Sequence, residues 1–321
     1  MKIRKMLIGC LLIVVGVPVA LIALGVAWMS FLNKTNGAIV SSGVKREYLL
    51  YVPLSYDRAK PAPLIISLHG AAGWAAQQKN VSGWNALADR EGFIVVYPSG
   101  SGTPRIWSVD HGPGLARDVR FISELIDTLA ASYNIDRARI YANGLSNGGG
   151  MTFVLSCTLS NRIAAFGMAS AAHTLEWSWC TDRRPVPVIE FHGTADPIVP
   201  YGGGLPTSAF APTKFDPNAR PFPNMPAWAA SWAQRNGCAS QPADTTVAAN
   251  VTRREYTGCA NGASVVLYTL EGAGHQWPGG KQLPQWWVGP PSTAVDATKL
   301  MWQFFREHPL VSEGDTPGAK R

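Results

Sequence analysis

The stretch Tyr141-Ala142-Asn143-Gly144-Leu145-Ser146-Asn147-Gly148-Gly149-Gly150-Met151 limits this chain more than any other. Residues 139–142 before the serine read as a short buried strand and residues 151–159 as a helix, which leaves Ser146 in the sharp turn between them. A turn this tight drives the serine backbone toward an unfavourable φ/ψ region and brings strand and helix close together, so glycine is needed on both sides. The same geometry lifts Ser146 Oγ out of the end of a sheet. In a chain with 32 glycines among 321 residues, the pattern Gly-x-Ser-x-Gly discriminates little by itself. The strand before it and the helix after it carry the weight.

The remaining chain supplies the sheet such a turn requires. Residues 45–52 alternate as a strand, and 63–69 form a continuous apolar run of the kind buried on both faces. An amphipathic helix over 82–90 stops at Gly92, and 93–97 is a strand closed by Pro98. The spacing predicts a long helix over 115–133, whose Val119, Ile122, Leu125, Ile126 and Leu129 share one face. Asp118 in its first turn reads as a favourable charge at a helix N-terminus. Further strands are expected at 163–168, 186–191, 251–256 and 264–270, and helices at 226–236 and 293–307. Strand, helix and strand at these intervals mean parallel pairs joined by crossovers. The fold class is therefore α/β, a mostly parallel, doubly wound sheet with helices on both faces.

Three strand ends carry residues suited to one reaction. The buried run 63–69 leads into His69-Gly70-Ala71-Ala72-Gly73, where small residues let the backbone turn an N–H toward a cleft. Residues 186–191 lead into His192-Gly193-Thr194-Ala195-Asp196-Pro197, and an acid just beyond a strand's carboxyl end can reach across the sheet top. The last strand delivers Glu271-Gly272-Ala273-Gly274-His275-Gln276-Trp277-Pro278-Gly279-Gly280, whose glycines describe a mobile, exposed loop around His275. Ser146, Asp196 and His275, in that order and each after its own strand, are the candidate nucleophile, acid and base. Residues 201–226 are rich in Gly, Pro, Ala and Phe, and read as a flap, an insertion shaping the pocket or a surface loop.

The net charge of +7 is not the mark of a nucleic-acid partner: Lys2, Arg4 and Lys5 supply three of it, and no Lys/Arg run follows. Residues 1–5 are basic and 6–32 almost wholly apolar, long enough to span a hydrocarbon core as a helix. Residues 1–33 are thus expected to be a signal anchor, or a long cleaved signal peptide, that exports the remainder to the periplasm or the exterior. Membrane attachment follows only if the segment stays uncleaved. Export makes an even set of cysteines, Cys157, Cys180, Cys238 and Cys259, read as two disulfides. Of three connectivities, pairing Cys238 with Cys259 staples the loop they bracket and leaves Cys157 with Cys180. No Cys-x-x-Cys spacing is present, so no metal is expected, and no organic cofactor is needed.

With these motifs in order, the chain resembles the exported esterases that include polyhydroxybutyrate depolymerases and feruloyl esterases. The resemblance spans roughly residues 44–305. It rests on Leu68-His69-Gly70, Gly92-Phe93-Ile94-Val95-Val96-Tyr97-Pro98, Gly144-Leu145-Ser146-Asn147-Gly148-Gly149, His192-Gly193-Thr194-Ala195-Asp196 and Gly274-His275-Gln276-Trp277-Pro278-Gly279-Gly280. It implies an α/β-hydrolase domain over 44–308 and a serine carboxylic-ester hydrolase working through an acyl-enzyme, while 309–321, at the terminus, reads as a flexible tail. Hydroxyalkanoate oligomers or feruloyl or acetyl esters are the expected substrates, small or polymeric. The competing readings are a catalytically silent binding protein, or an acyltransferase or peptidase of the same fold. The oxyanion donors would be the backbone N–H groups of Asn147 and of Ala71 or Ala72. Trp107, Trp277 and Trp287 are candidate stacking surfaces for substrate.

Overall fold

The computed structural model describes residues 34–182, 184–209, 211 and 219–310. The apolar segment 6–32 and nearly all of the tail lie outside them. Among the described residues no helix is long and apolar enough to cross a membrane.

The described residues open with a hairpin, β1 (Gly37–Ser41) and β2 (Val44–Tyr51). There follow β3 (Ala62–Leu68), α1 (Ala75–Ser82), α2 (Trp84–Glu91), β4 (Ile94–Pro98), α3 (Pro113–Ser132), β5 (Ile135–Leu145) and α4 (Asn147–Thr158). The second half holds β6 (Ala165–Ala169), β7 (Val188–Gly193), α5 (Met225–Arg235), β8 (Ala243–Ala248), β9 (Val251–Tyr256), β10 (Val265–Leu270), the single turn α6 (Gln285–Val288) and α7 (Ala297–Arg306). The ten strands among the described residues form one sheet in the order β1-β2-β4-β3-β5-β6-β7-β10-β9-β8. Strands β4 through β10 of that order pair in parallel, and the antiparallel β1–β2 and β9–β8 pairs close the two edges.

The alternation hidden inside the continuous apolar runs divides the core in two. Leu64 and Ile66 of β3 join one cluster with Ile122 of α3, Phe153 of α4 and Trp232 of α5. Ile65, between them, joins the other with Trp84 of α2 and Trp302 and Phe305 of α7. Each fully buried side chain of this size contributes about 1.5–3 kcal/mol relative to exposure. On that second face Tyr141 and Phe305 stack with ring centroids 4.9 Å apart.

Several boundaries differ from the sequence expectation for local reasons. The helix read over 82–90 is α2, and a separate helix, α1, precedes it across Gly83, whose φ of 69° is left-handed; the polar α1 gave no apolar stripe to read. Strand β8 lies inside the stapled segment that read as a loop, because its side chains are almost all exposed. Both expected disulfides are formed, Cys157–Cys180 and Cys238–Cys259.

Asp118 corrects a simpler reading. It does not act as an exposed charge at a helix end: it is buried in α3 and accepts from Arg46 Nη1 of β2 at 2.8 Å and from the Ser108 N–H at 2.9 Å. Arg46 also donates to Ser99 O at 3.2 Å and lies over the Phe121 ring at 4.1 Å. One buried ion pair thus ties the sheet edge to α3 and to the 99–112 loop that leads to the site. Replacing Asp118 with Ala leaves an uncompensated buried guanidinium and is expected to cost about 3–5 kcal/mol in urea unfolding. The double variant Arg46→Met, Asp118→Leu is expected to regain most of that loss.

Candidate active site

The strand order reverses between β3 and β5, because the chain steps to β4 on one side of β3 and returns on the other. Open α/β sheets place ligands at the carboxyl ends of the strands beside such a reversal. Ser146 sits there, between β5 and α4, with φ 56° and ψ −119°. Strain of this kind costs about 1–3 kcal/mol and persists only where surroundings overdetermine it. Here the Ser146 N–H donates to Ala169 O at 2.9 Å, and its carbonyl accepts from Gly150 and Ala172 N–H at 2.9 and 3.0 Å. A Cβ on Gly144 would lie 2.2 Å from Gly148 O, and one on Gly148 would lie 2.3 Å from Leu68 O. Glycine is therefore required at both flanks, and α4 begins at Asn147, four residues earlier than its sequence suggests.

The loop after β3 is held by His69, which is buried. Its Nε2 accepts from the Gly100 N–H at 2.9 Å, so the ring proton is on Nδ1, which donates to Gly70 O at 2.7 Å. Burial, aided by the Arg105 charge, pushes this imidazole down to about 4 despite the bond to Gly70. Of the two alternative oxyanion donors, the Ala72 N–H is occupied by Arg105 O at 2.8 Å. Ala71 lines the cleft beside Ser146. The Asn147 N–H is the first of α4 and has no carbonyl one turn earlier within the helix. The Asn147 side chain clamps both backbone groups of Trp107, accepting at 2.8 Å and donating at 3.0 Å.

Asp196 and His275 meet although 79 residues separate them: His275 Nδ1 lies 2.8 Å from Asp196 Oδ2. A carboxylate only accepts, so Nδ1 carries the proton and Nε2 is left with a lone pair. Asp196 Oδ1 accepts from the N–H groups of Ile198 and Val199 at 2.9 and 2.8 Å. Burial alone would raise the Asp196 carboxyl, but the charge and hydrogen bond of His275, with His192 and the Val199 N–H, hold it below the usual carboxylate range. The two loops approach so closely that a Cβ on Gly193 would lie 2.2 Å from Ala273 O.

The expected exposed, mobile setting of His275 is corrected. The residue is 4 % exposed, and its N–H donates to Val288 O at 2.6 Å. Gln276 fastens the next segment, donating to Gly289 O at 3.0 Å and accepting from Leu283 N–H at 2.8 Å.

Ser146 and His275 line one cleft with Ala71, Gln77, Gln78 and a mainly apolar wall that includes Ile198 and Trp287. Its empty volume is about 570 Å³, partly open to solvent. Trp287 is the only one of the three candidate stacking tryptophans on this wall. Trp107 is 1 % exposed and donates to His69 O at 3.0 Å; Trp277 is 3 % exposed and donates to Thr298 Oγ1 at 2.9 Å. Both brace loops instead, because an indole N–H in the core needs an acceptor. The described part of 201–226 places Phe222 and Ala211 with Ile198 and Val288, behind the cleft wall.

A family model described as "Esterase PHB depolymerase" matches residues 46–178. The protein named "Putative esterase NocK" of Nocardia uniformis subsp. tsuyamanensis is 30% identical over 260 residues, covering 77% of this chain and 74% of that protein. The chain belongs to the esterase PHB depolymerase family. Feruloyl esterase B of Piromyces equi is 32% identical over 242 residues, but the chain spans only 44% of its length. The chain spans 22% of the bifunctional acetylxylan esterase/xylanase XynS20E of Neocallimastix patriciarum. An acetyl xylan esterase structure from Aspergillus awamori superposes with a TM-score of 0.59 over 84% of this chain and 98% of that one; at 16% identity it shows the α/β-hydrolase fold alone.

The segment matched by the esterase family model holds the His69 loop and Ser146, whereas Asp196 and His275 lie beyond it. Also beyond it is Glu190, which sequence reasoning missed in this family member. It is buried on β7 with His192, two residues on, and with His173. A lone carboxylate within the apolar run Val188-Ile189-Glu190-Phe191 was the available signal.

The His69 environment generates a pH prediction. A folded value of about 4 lies below the ordinary histidine value, so the unfolded chain binds more protons between about pH 6.5 and 4. This group's contribution is complete above that window and lost as pH falls through it. Wild type should therefore lose stability up to about 1.4 kcal/mol per pH unit more steeply than His69→Gln in urea titrations across the window.

Proposed function

We propose that this chain is an exported serine carboxylic-ester hydrolase that works through an acyl-enzyme. The observation that carries the reading is the 2.8 Å contact of His275 Nδ1 with Asp196 Oδ2, at a cleft that Ser146 and His275 both line. His275 Nε2 takes the Ser146 proton as Oγ attacks the ester carbonyl, while Asp196 holds the tautomer and stabilises the imidazolium. The N–H groups of Asn147 and Ala71 receive the oxyanion, each such donor being worth about 3–4 kcal/mol of barrier. His275 then returns the proton to the departing alcohol, and water activated by the same nitrogen releases the acid.

The apolar wall with Trp287, and the amides of Gln77 and Gln78 beside it, suit a flat aromatic or short hydroxylated acyl group. That chemistry, with relatives named as feruloyl and acetylxylan esterases, favours feruloyl or acetyl esters, hydroxyalkanoate oligomers being the other candidates. Export is supported by the basic and apolar N-terminal sequence and by two disulfides, which persist in oxidising compartments.

Wild type is expected to hydrolyse p-nitrophenyl acetate and to gain the mass of a fluorophosphonate probe. Ser146→Ala should do neither while keeping its unfolding midpoint near that of wild type. Activity surviving in Ser146→Ala would refute the nucleophile. Rates on methyl ferulate, tributyrin, hydroxybutyrate oligomers and acetyl-xylan then rank the acyl groups.

A further inference from the structure

Behind Asp196 lies a second set of ionisable groups that the triad mechanism does not use. His192 Nε2 lies 2.8 Å from Val199 O. A carbonyl has no proton to give, so this nitrogen is protonated. His192 Nδ1 lies 3.3 Å from Glu190 Oε1, with both side chains fully buried. Were the ring neutral and the carboxyl ionised, two lone pairs would face each other in the dry core. A proton between them removes that repulsion. Glu190 Oε1 also accepts from the Ala171 N–H at 3.2 Å, and Oε2 faces His173 Nε2 at 3.7 Å.

Val199 couples this pair to the acid. Its carbonyl accepts from His192 while its N–H donates to Asp196 Oδ1, both at 2.8 Å. Asp196 Oδ2 then stands 3.5 Å from His192 Nε2 and 2.8 Å from His275 Nδ1.

We infer that His192, held by Glu190, is a positioning residue of the triad: a buried cation between two carboxylates that keeps the Asp196 carboxylate turned toward His275. The role rests on the esterase reading of Ser146, Asp196 and His275. Burial pushes the His192 imidazole down, but the hydrogen bond to Glu190 and the charges of Asp196 and Glu190 leave it raised. Burial pushes the Glu190 carboxyl up, and His173 and His192 more than reverse this. Burial keeps His173 low against the pull of Glu190, and its ring stacks on Trp228 at 4.1 Å. The other groups facing His192 are the Tyr201 ring, 6.0 Å away, and Thr269, its register partner on β10. Tyr201 and Thr269 bond each other through their hydroxyls at 2.7 Å.

Two measurements test the role. In Ser146→Ala protein labelled with ¹⁵N-histidine, the His192 ring, assigned by its shift to the neutral form in Glu190→Gln, should show both nitrogens protonated at pH 7. A neutral His192 there overturns the inference, and this arm decides it even if wild type hydrolyses no ester. In turnover of p-nitrophenyl acetate, His192→Gln removes the positive charge that opposes proton uptake by the base. The acid limb of its kcat/KM profile should rise by about one pH unit, with KM nearly unchanged and activity below the limb down about tenfold. Glu190→Gln keeps the side-chain shape and should move the limb the same way by less. An active wild type whose limb stays put in both variants overturns the inference and leaves the triad reading intact.

Discussion

The contact on which this structure depends is the approach of the first turn of α4 to the carbonyls that end β3. Those oxygens occupy the space where a Cβ on residue 148 would stand. The absence of that atom lets a helix begin one residue beyond a central strand, at the point where the strand order reverses. Three consequences follow together. Ser146 is pushed into a backbone conformation that projects its hydroxyl, the first N–H of α4 stays unclaimed by the helix, and the loop after β3 is brought beside both. The strain is local, and the hydrogen bonds to Ala169, Gly150 and Ala172 that oppose its release come from two separate elements.

Polar groups do the aligning around this apolar sheet. The Asn147 amide grips the backbone of Trp107, His69 spans Gly70 and Gly100, and Gln276 grips Leu283 and Gly289. In each case a buried side chain replaces water as partner to loop backbone that has no strand or helix to satisfy it. Such loops can be irregular in path and still hold side chains at fixed positions. The Arg46–Asp118 pair extends the same logic to the sheet edge, where charge neutralisation is the condition for burial.

The buried line Glu190, His192, Asp196 and His275 gives the strand end an electrostatic role as well as a positional one. Carboxylate and imidazole alternate along it, so each carboxylate faces a ring nitrogen, and the last imidazole reaches the cleft. Two of these groups come from one face of β7, which is why a strand otherwise read as hydrophobic filler bears on the chemistry at its tip.

What the sequence by itself determined was whatever depends on neighbours along the chain: the strand–Ser146–helix turn, the parallel α/β order, and Ser146, Asp196 and His275 each placed just past its own strand. The glycines that allow those turns act through steric limits a few residues wide, and such limits are legible in a linear string. The tertiary structure alone decided that Asp118 pairs with Arg46 from 72 residues away, that Trp107 and Trp277 turn inward while Trp287 faces the cleft, and that Glu190 meets both His173 and His192. Those outcomes are set by which buried groups must find partners once the sheet closes. A charge or an indole N–H removed from water takes whichever complement the fold brings near, and no local pattern names it.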